Sequence, residues 1–136
     1  MSSTAILADL VRRKHEVLAQ LCAMGRRQQE IVESGETATL LELLAGKQRM
    51  ITLLQKLEQD LAPFNGEDPD ARSWPSPAHR ELCARQAAEC NRLLAEVVEL
   101  ERQSADRLTV RRNDVAAQLR QAHTASQARS AYQAQR

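Results

Sequence analysis

Between residues 4 and 33 the large apolar residues Leu7, Leu10, Val17, Leu21, Met24 and Ile31 recur in steps of three, four and seven, and Lys14 and Gln28 complete the series. Such steps keep side chains on one face of an α-helix, so the spacing predicts an amphipathic helix with a coiled-coil-like stripe. Residues 37 to 62 repeat it through Leu40, Leu43, Lys47, Met50, Leu54, Leu57 and Leu61, while Leu41, Leu44 and Ile51 widen the apolar face. This second helix is expected to be the best buried of three. In "SGET", Gly35 offers a helix C-terminus and a short turn, which favours antiparallel neighbours.

The segment "APFNGEDPDARSWPSP" holds all four prolines, at 63, 69, 75 and 77, together with Gly66. No helix passes through such a run, and residues 63 to 76 read as a loop. Ser76 can cap a third helix and Pro77 can open its first turn. Leu82, Cys83, Ala87, Cys90, Leu93, Leu94, Val97, Val98 and Leu100 then give an apolar face to about residue 100. Beyond it the face thins to Leu108, Val115, Leu119 and alanines such as Ala122, with no breaker in the remaining chain. At the α-helical rise, helices 4–33 and 37–62 measure about 45 and 39 Å, against about 80 Å for one over 77–131. The last 30 Å or so of the third helix is expected to have no companion. The fold class that follows is all-α, an antiparallel three-helix bundle or coiled coil with a long third helix, in one domain over residues 1–136.

Composition supports this class: one Phe, one Tyr and one Trp stand among many Leu, Ala, Glu, Gln and Arg. The net charge of +1 conceals a polarity, because residues 1–75 carry 9 basic and 11 acidic groups whereas residues 102–136 carry 7 Arg against Asp106 and Asp114. A basic stretch raises the prospect of nucleic acid. No aromatic side chains interleave the arginines at 102, 107, 111, 112, 120 and 129, and no known DNA-binding motif surrounds them, so nucleic acid is not the expected partner. The three cysteines, at 22, 83 and 90, form no CxxC and no disulfide framework, which suits reduced thiols in the cytoplasm. Near the N-terminus the basic cluster follows the apolar stretch instead of preceding it, unlike a signal peptide. No apolar run approaches the roughly 18 residues of a membrane span, so no membrane insertion is expected.

Residues that could carry chemistry are few. His79, Cys83 and Cys90 fall near one helical face, and Cys22 could complete a zinc shell. Their spacing matches no known ligand pattern, and cysteine is an ordinary small core residue, so neither metal nor cofactor is expected. His15 and His123 have no partnered nucleophile or carboxylate, no Gly-rich loop follows a strand, and HExxH is absent. Enzymatic activity is not expected. Lys47, in the seam between Leu43 and Met50, is expected to pack its stem and extend its ammonium to water. Trp74 is expected to cover one end of the bundle.

The stretch "SGETATLLELLAGKQRMITLLQKLE" resembles the second-helix pattern of the FlgN-like flagellar export chaperones, near relatives in architecture of the FliT-type chaperones. The resembling features are the turn at Ser34 and Gly35, the leucines from Leu40 to Leu44, Lys47 in the middle, the pair Leu53 and Leu54, and Leu57. "LTVRRNDVAAQL" is similar to the family's third helix at Asn113, and Tyr132 stands where that family carries a tyrosine near its terminus. The chain departs from the pattern after Tyr132, with Gln133, Ala134 and Gln135 where glycine often follows. The resemblance implies a chaperone for hook-associated proteins of the hook–filament junction, delivering them to the flagellar export gate. Cargo contact is then expected at Leu108, Val115, Leu119 and Ala122, with Tyr132 meeting the gate by resemblance alone. The alternatives are a generic coiled-coil adaptor or another secretion chaperone and, more distantly, a basic-tailed nucleic-acid-binding protein, with packing in a homodimer as the alternative for the tail.

Overall fold

The computed structural model describes residues 2–68 and 71–134, so Met1, Pro69, Asp70, Gln135 and Arg136 lie outside the described residues. Three α-helices pack against one another: α1 (Ser3–Ser34), α2 (Thr37–Leu61) and α3 (Pro77–Ala134). A short 3-10 turn, Ala62–Phe64, follows α2, and no strand occurs among the described residues. The chain divides into two compact units, Met1–Glu101 and Arg102–Arg136.

Local chemistry sets the helix ends. Ser2 Oγ accepts from the Ala5 amide at 3.1 Å and caps α1. Gly35, at φ 76°, takes the left-handed conformation that a side chain disfavours, and its N–H returns to the Ile31 carbonyl at 3.1 Å. Ser76 Oγ accepts from the His79 amide at 3.3 Å, and Pro77 supplies a first-turn residue that lacks the N–H other residues would leave unpaired there.

α1 carries two adjacent seams. The first is the series beginning at Leu7 and Leu10, and it faces α2: Lys14 Nζ lies 2.6 Å from Glu58, and Gln28 accepts from Lys47. The second runs through Thr4, Ala8, Val11, His15, Leu18, Cys22, Gly25, Gln29 and Val32, again in steps of three and four. It faces α3, where Cys90 Sγ–H donates to the Val11 carbonyl at 3.8 Å and Cys22 Sγ–H to the Leu93 carbonyl at 3.5 Å. Gly25 belongs here because a Cβ at that position would stand 3.1 Å from Leu100 Cδ1. The core therefore gathers Leu10, Val11, Val17, Leu18, Leu21 and Cys22 of α1 with Leu57 and Leu61 of α2 and Cys83, Cys90, Leu93 and Leu100 of α3.

This corrects the expectation that the second helix is best buried. α1 buries residues along its whole length, whereas α2 buries Gly46, Lys47, Leu57 and Leu61 and leaves Leu41, Leu44 and Leu53 exposed. The reason is geometric: two seams cover a wider arc of α1 than one seam covers of α2. The loop closes the end of the unit where α1 begins. Arg72 stacks over the Phe64 ring at 5.0 Å, donates to Ser3 Oγ at 3.3 Å and pairs with Glu67, while Trp74 packs against the core. Among the described residues no helix is long and apolar enough to cross a membrane.

Candidate partner-binding surface

The unit Arg102–Arg136 is helical through Ala134 and rich in Ala, Gln and Arg, residues that lose little conformational freedom in a helix. Arg102 pairs with Asp106 at 2.8 Å, and the hydroxyls of Thr109 and Thr124 donate to the carbonyls of Ala105 and Arg120 one turn earlier. On this helix Leu108, Val115, Leu119 and Ala122 fall within about 60° of one another at 3.6 residues per turn. All four are exposed, Leu119 to 66%, and so is Tyr132. An apolar stripe left in water is unfavourable by about 25 cal/mol per Å2 of apolar surface, so a covering partner gains that area.

Charge is distributed around the stripe in a directed way. Arg111 and Arg112 follow Leu108 by three and four residues and stand on either side of it, whereas Asp106 lies across the helix and Asp114 about a third of a turn away. The surface thus offers an apolar strip between cations, suited to an amphipathic helix with acidic flanks. Val110 is exposed as well but lies on the far side from Leu108.

The unit Met1–Glu101 carries a further set of exposed apolar residues that the periodicity assigned to core faces: Leu41 and Leu44 on α2, and Leu82, Leu94 and Val98 on α3. Each lies at the edge of its helix's seam, and a widened stripe gives no signal separating covered from uncovered positions.

Lys47 departs from its expected snorkelling position. It is 4% exposed, donates to Gln28 Oε1 at 2.6 Å and pairs with Glu101 of α3. Desolvation lowers its pKa below the ordinary 10.5. The residues weighed as metal ligands do not converge: the thiols of Cys22 and Cys90 point at carbonyls of neighbouring helices, and His79 Nδ1 lies 2.6 Å from Ser76 Oγ. Among the described residues no three His, Cys, Asp or Glu side chains gather as a metal site would require. Burial pushes all three thiols above the ordinary thiol value, the direction opposite to that of a reactive cysteine. No family model, characterised protein or solved structure matches the chain.

Proposed function

We propose that this chain is a helical binding protein without enzymatic activity, whose C-terminal unit receives a helix from a partner protein. In its specific form the proposal is a cytoplasmic FlgN-like export chaperone that holds hook-associated flagellar proteins before export. The observation that carries it is the exposed stripe of Leu108, Val115, Leu119 and Ala122 between Arg111 and Arg112. A segment that forms a helix readily yet exposes its apolar side gains most of its buried area when another helix supplies the missing face. The arginines accelerate encounter with an acidic partner more than they strengthen the final complex. In the same reading Tyr132 meets the export gate.

The finer architecture belongs to this proposal. α1 and α2 run antiparallel, a reading supported by the pairs Lys14–Glu58 and Gln28–Lys47, in which rising positions on α1 meet falling positions on α2. A long third helix, Pro77–Ala134, is part of the same reading.

Calorimetry with a purified hook–filament junction protein tests the proposal on the full chain, on a chain ending at Ser104, and on a Leu108→Ser, Leu119→Ser double variant. The full chain is expected to bind, and both altered proteins to lose binding while their thermal unfolding stays nearly unchanged. Full-strength binding by the shortened chain would move the surface to the leucines of α2. No binding by the full chain would remove the flagellar cargo from the proposal.

A further inference from the structure

At the end of the bundle where α1 and α3 begin, the structure holds a cavity of about 390 Å3 walled by Thr4, Ala5, Ala8, Trp74, Leu82 and Cys83. Its origin lies in the second seam of α1. Further along, that seam fills the space toward α3 with Val11 and Leu18, whereas in the first turns it carries Thr4 and Ala8, whose short side chains leave room. A second cavity of about 330 Å3 adjoins Phe64, Arg72 and Ala87, and Trp74 and Cys83 line both. The indole is half-buried and packed against the core, and it also walls the open space beside it. Both volumes lie within the range of roughly 300–1,000 Å3 typical of small-molecule sites.

We propose that the Trp74 cavity is a binding site for a small, neutral molecule of one or two aromatic ring systems. The mouth decides the charge of the ligand. Arg12 is engaged by Asp9 at 2.7 Å and Glu16 at 2.8 Å, Asp9 also holds Arg13 at 3.0 Å, and the His79 ring is hydrogen-bonded to Ser76. An ionic ligand must compete with these partners for its counter-charge, whereas a neutral ring needs only the apolar walls and the indole face. Thr4 and Gln86 line the same cavity and bring one hydroxyl and one amide, enough to orient a single polar substituent. The site shares no residue with the stripe on residues 108–122.

Trp74 is the chain's only tryptophan, so its fluorescence reports the two cavities it lines and not the stripe on residues 108–122. The probe is N-phenyl-1-naphthylamine, compared with 8-anilino-1-naphthalenesulfonate, which carries a sulfonate on the same skeleton. The neutral probe is expected to quench Trp74 saturably with one molecule per chain, and the sulfonate to bind at least tenfold more weakly. Ala5→Leu, which places bulk in the mouth from an exposed position, is expected to weaken the neutral probe at least tenfold with an unchanged thermal midpoint. Leu82→Ser, at the exposed wall, is the second variant and is expected to act in the same direction. Leu119→Ser is expected to change nothing. The absence of saturable quenching, wild-type affinity in both cavity variants, or equal affinity for the sulfonate would each overturn the proposal.

Discussion

The Lys47 ammonium donates to the Gln28 amide oxygen at 2.6 Å and also pairs with Glu101, so one buried cation joins all three helices at a single level of the bundle. A cation taken out of water persists only where partners replace its hydration. Gln28 is itself buried, while the Glu101 carboxylate is half exposed and can draw on solvent.

Replacing Lys47 by Met should therefore harm Gln28 more than Glu101. The single variant leaves a buried amide oxygen without its donor, an expected loss of about 1–3 kcal/mol. The double variant Lys47→Met, Gln28→Leu removes both polar partners and should recover most of that loss. Denaturant titrations of the two proteins decide the matter; a double variant less stable than the single one would refute the account.

Leu18 is fully buried in the α3-facing seam of α1, whereas Leu54 on α2 is only half-buried. Leu18→Ala should cost about 2–5 kcal/mol, the usual range for emptying a core leucine site. Leu54→Ala should cost about 1–2 kcal/mol, since much of its surface is already in water. Equal losses in chemical denaturation would mean that α2 sits deeper than described.

The thiols of Cys22, Cys83 and Cys90 give a pH dependence with a definite sign. Burial raises their pKa above the ordinary 9.0, so above that pH the unfolded chain releases protons that the folded chain keeps. Stability from this source is complete below pH 9.0 and declines as pH rises through the folded values. Lys47, with its pKa lowered, acts in the opposite sense as pH approaches 10.5. Comparing the wild type with a protein carrying Ala at all three cysteines cancels the lysine contribution. The wild type should lose stability relative to that variant between pH 8 and 10.5, and a constant gap between the two curves would show that the thiols titrate alike in both states.

How far the fold could be read in advance depended on whether its cause was local. Gly35 and the Ser76–Pro77 pair were legible because backbone conformation and capping involve neighbours in sequence. The α2-facing seam was legible because its leucines repeat. The seam toward α3 was not, because Thr4, Ala8, His15, Gly25 and Gln29 carry no shared apolar signature, and Gly25 is explained only by the approach of Leu100. Lys47 looked solvated because its partners stand 19 and 54 residues away. At the candidate surface, the sparseness of Leu108, Val115 and Leu119 was visible in the chain and all three are exposed. The exposure of Leu82, Leu94 and Val98 was hidden, since nothing in a run of apolar residues marks where a neighbouring helix stops.

The two seams of α1 should also fill at different times. Contacts toward α2 close short loops, as between Gln28 and Lys47, whereas those toward α3 join residues such as Val11 and Cys90, 79 positions apart. Short loops close at lower entropic cost, so the α1–α2 contacts are expected in the folding transition state and the α3 seam after it. Val17→Ala should then slow refolding in stopped-flow experiments, while Leu93→Ala should chiefly hasten unfolding. During synthesis the same order should leave Leu18 and Cys22 wet on already paired α1 and α2 until residue 93 and its neighbours emerge, and in that interval the nascent chain itself should present a sticky surface.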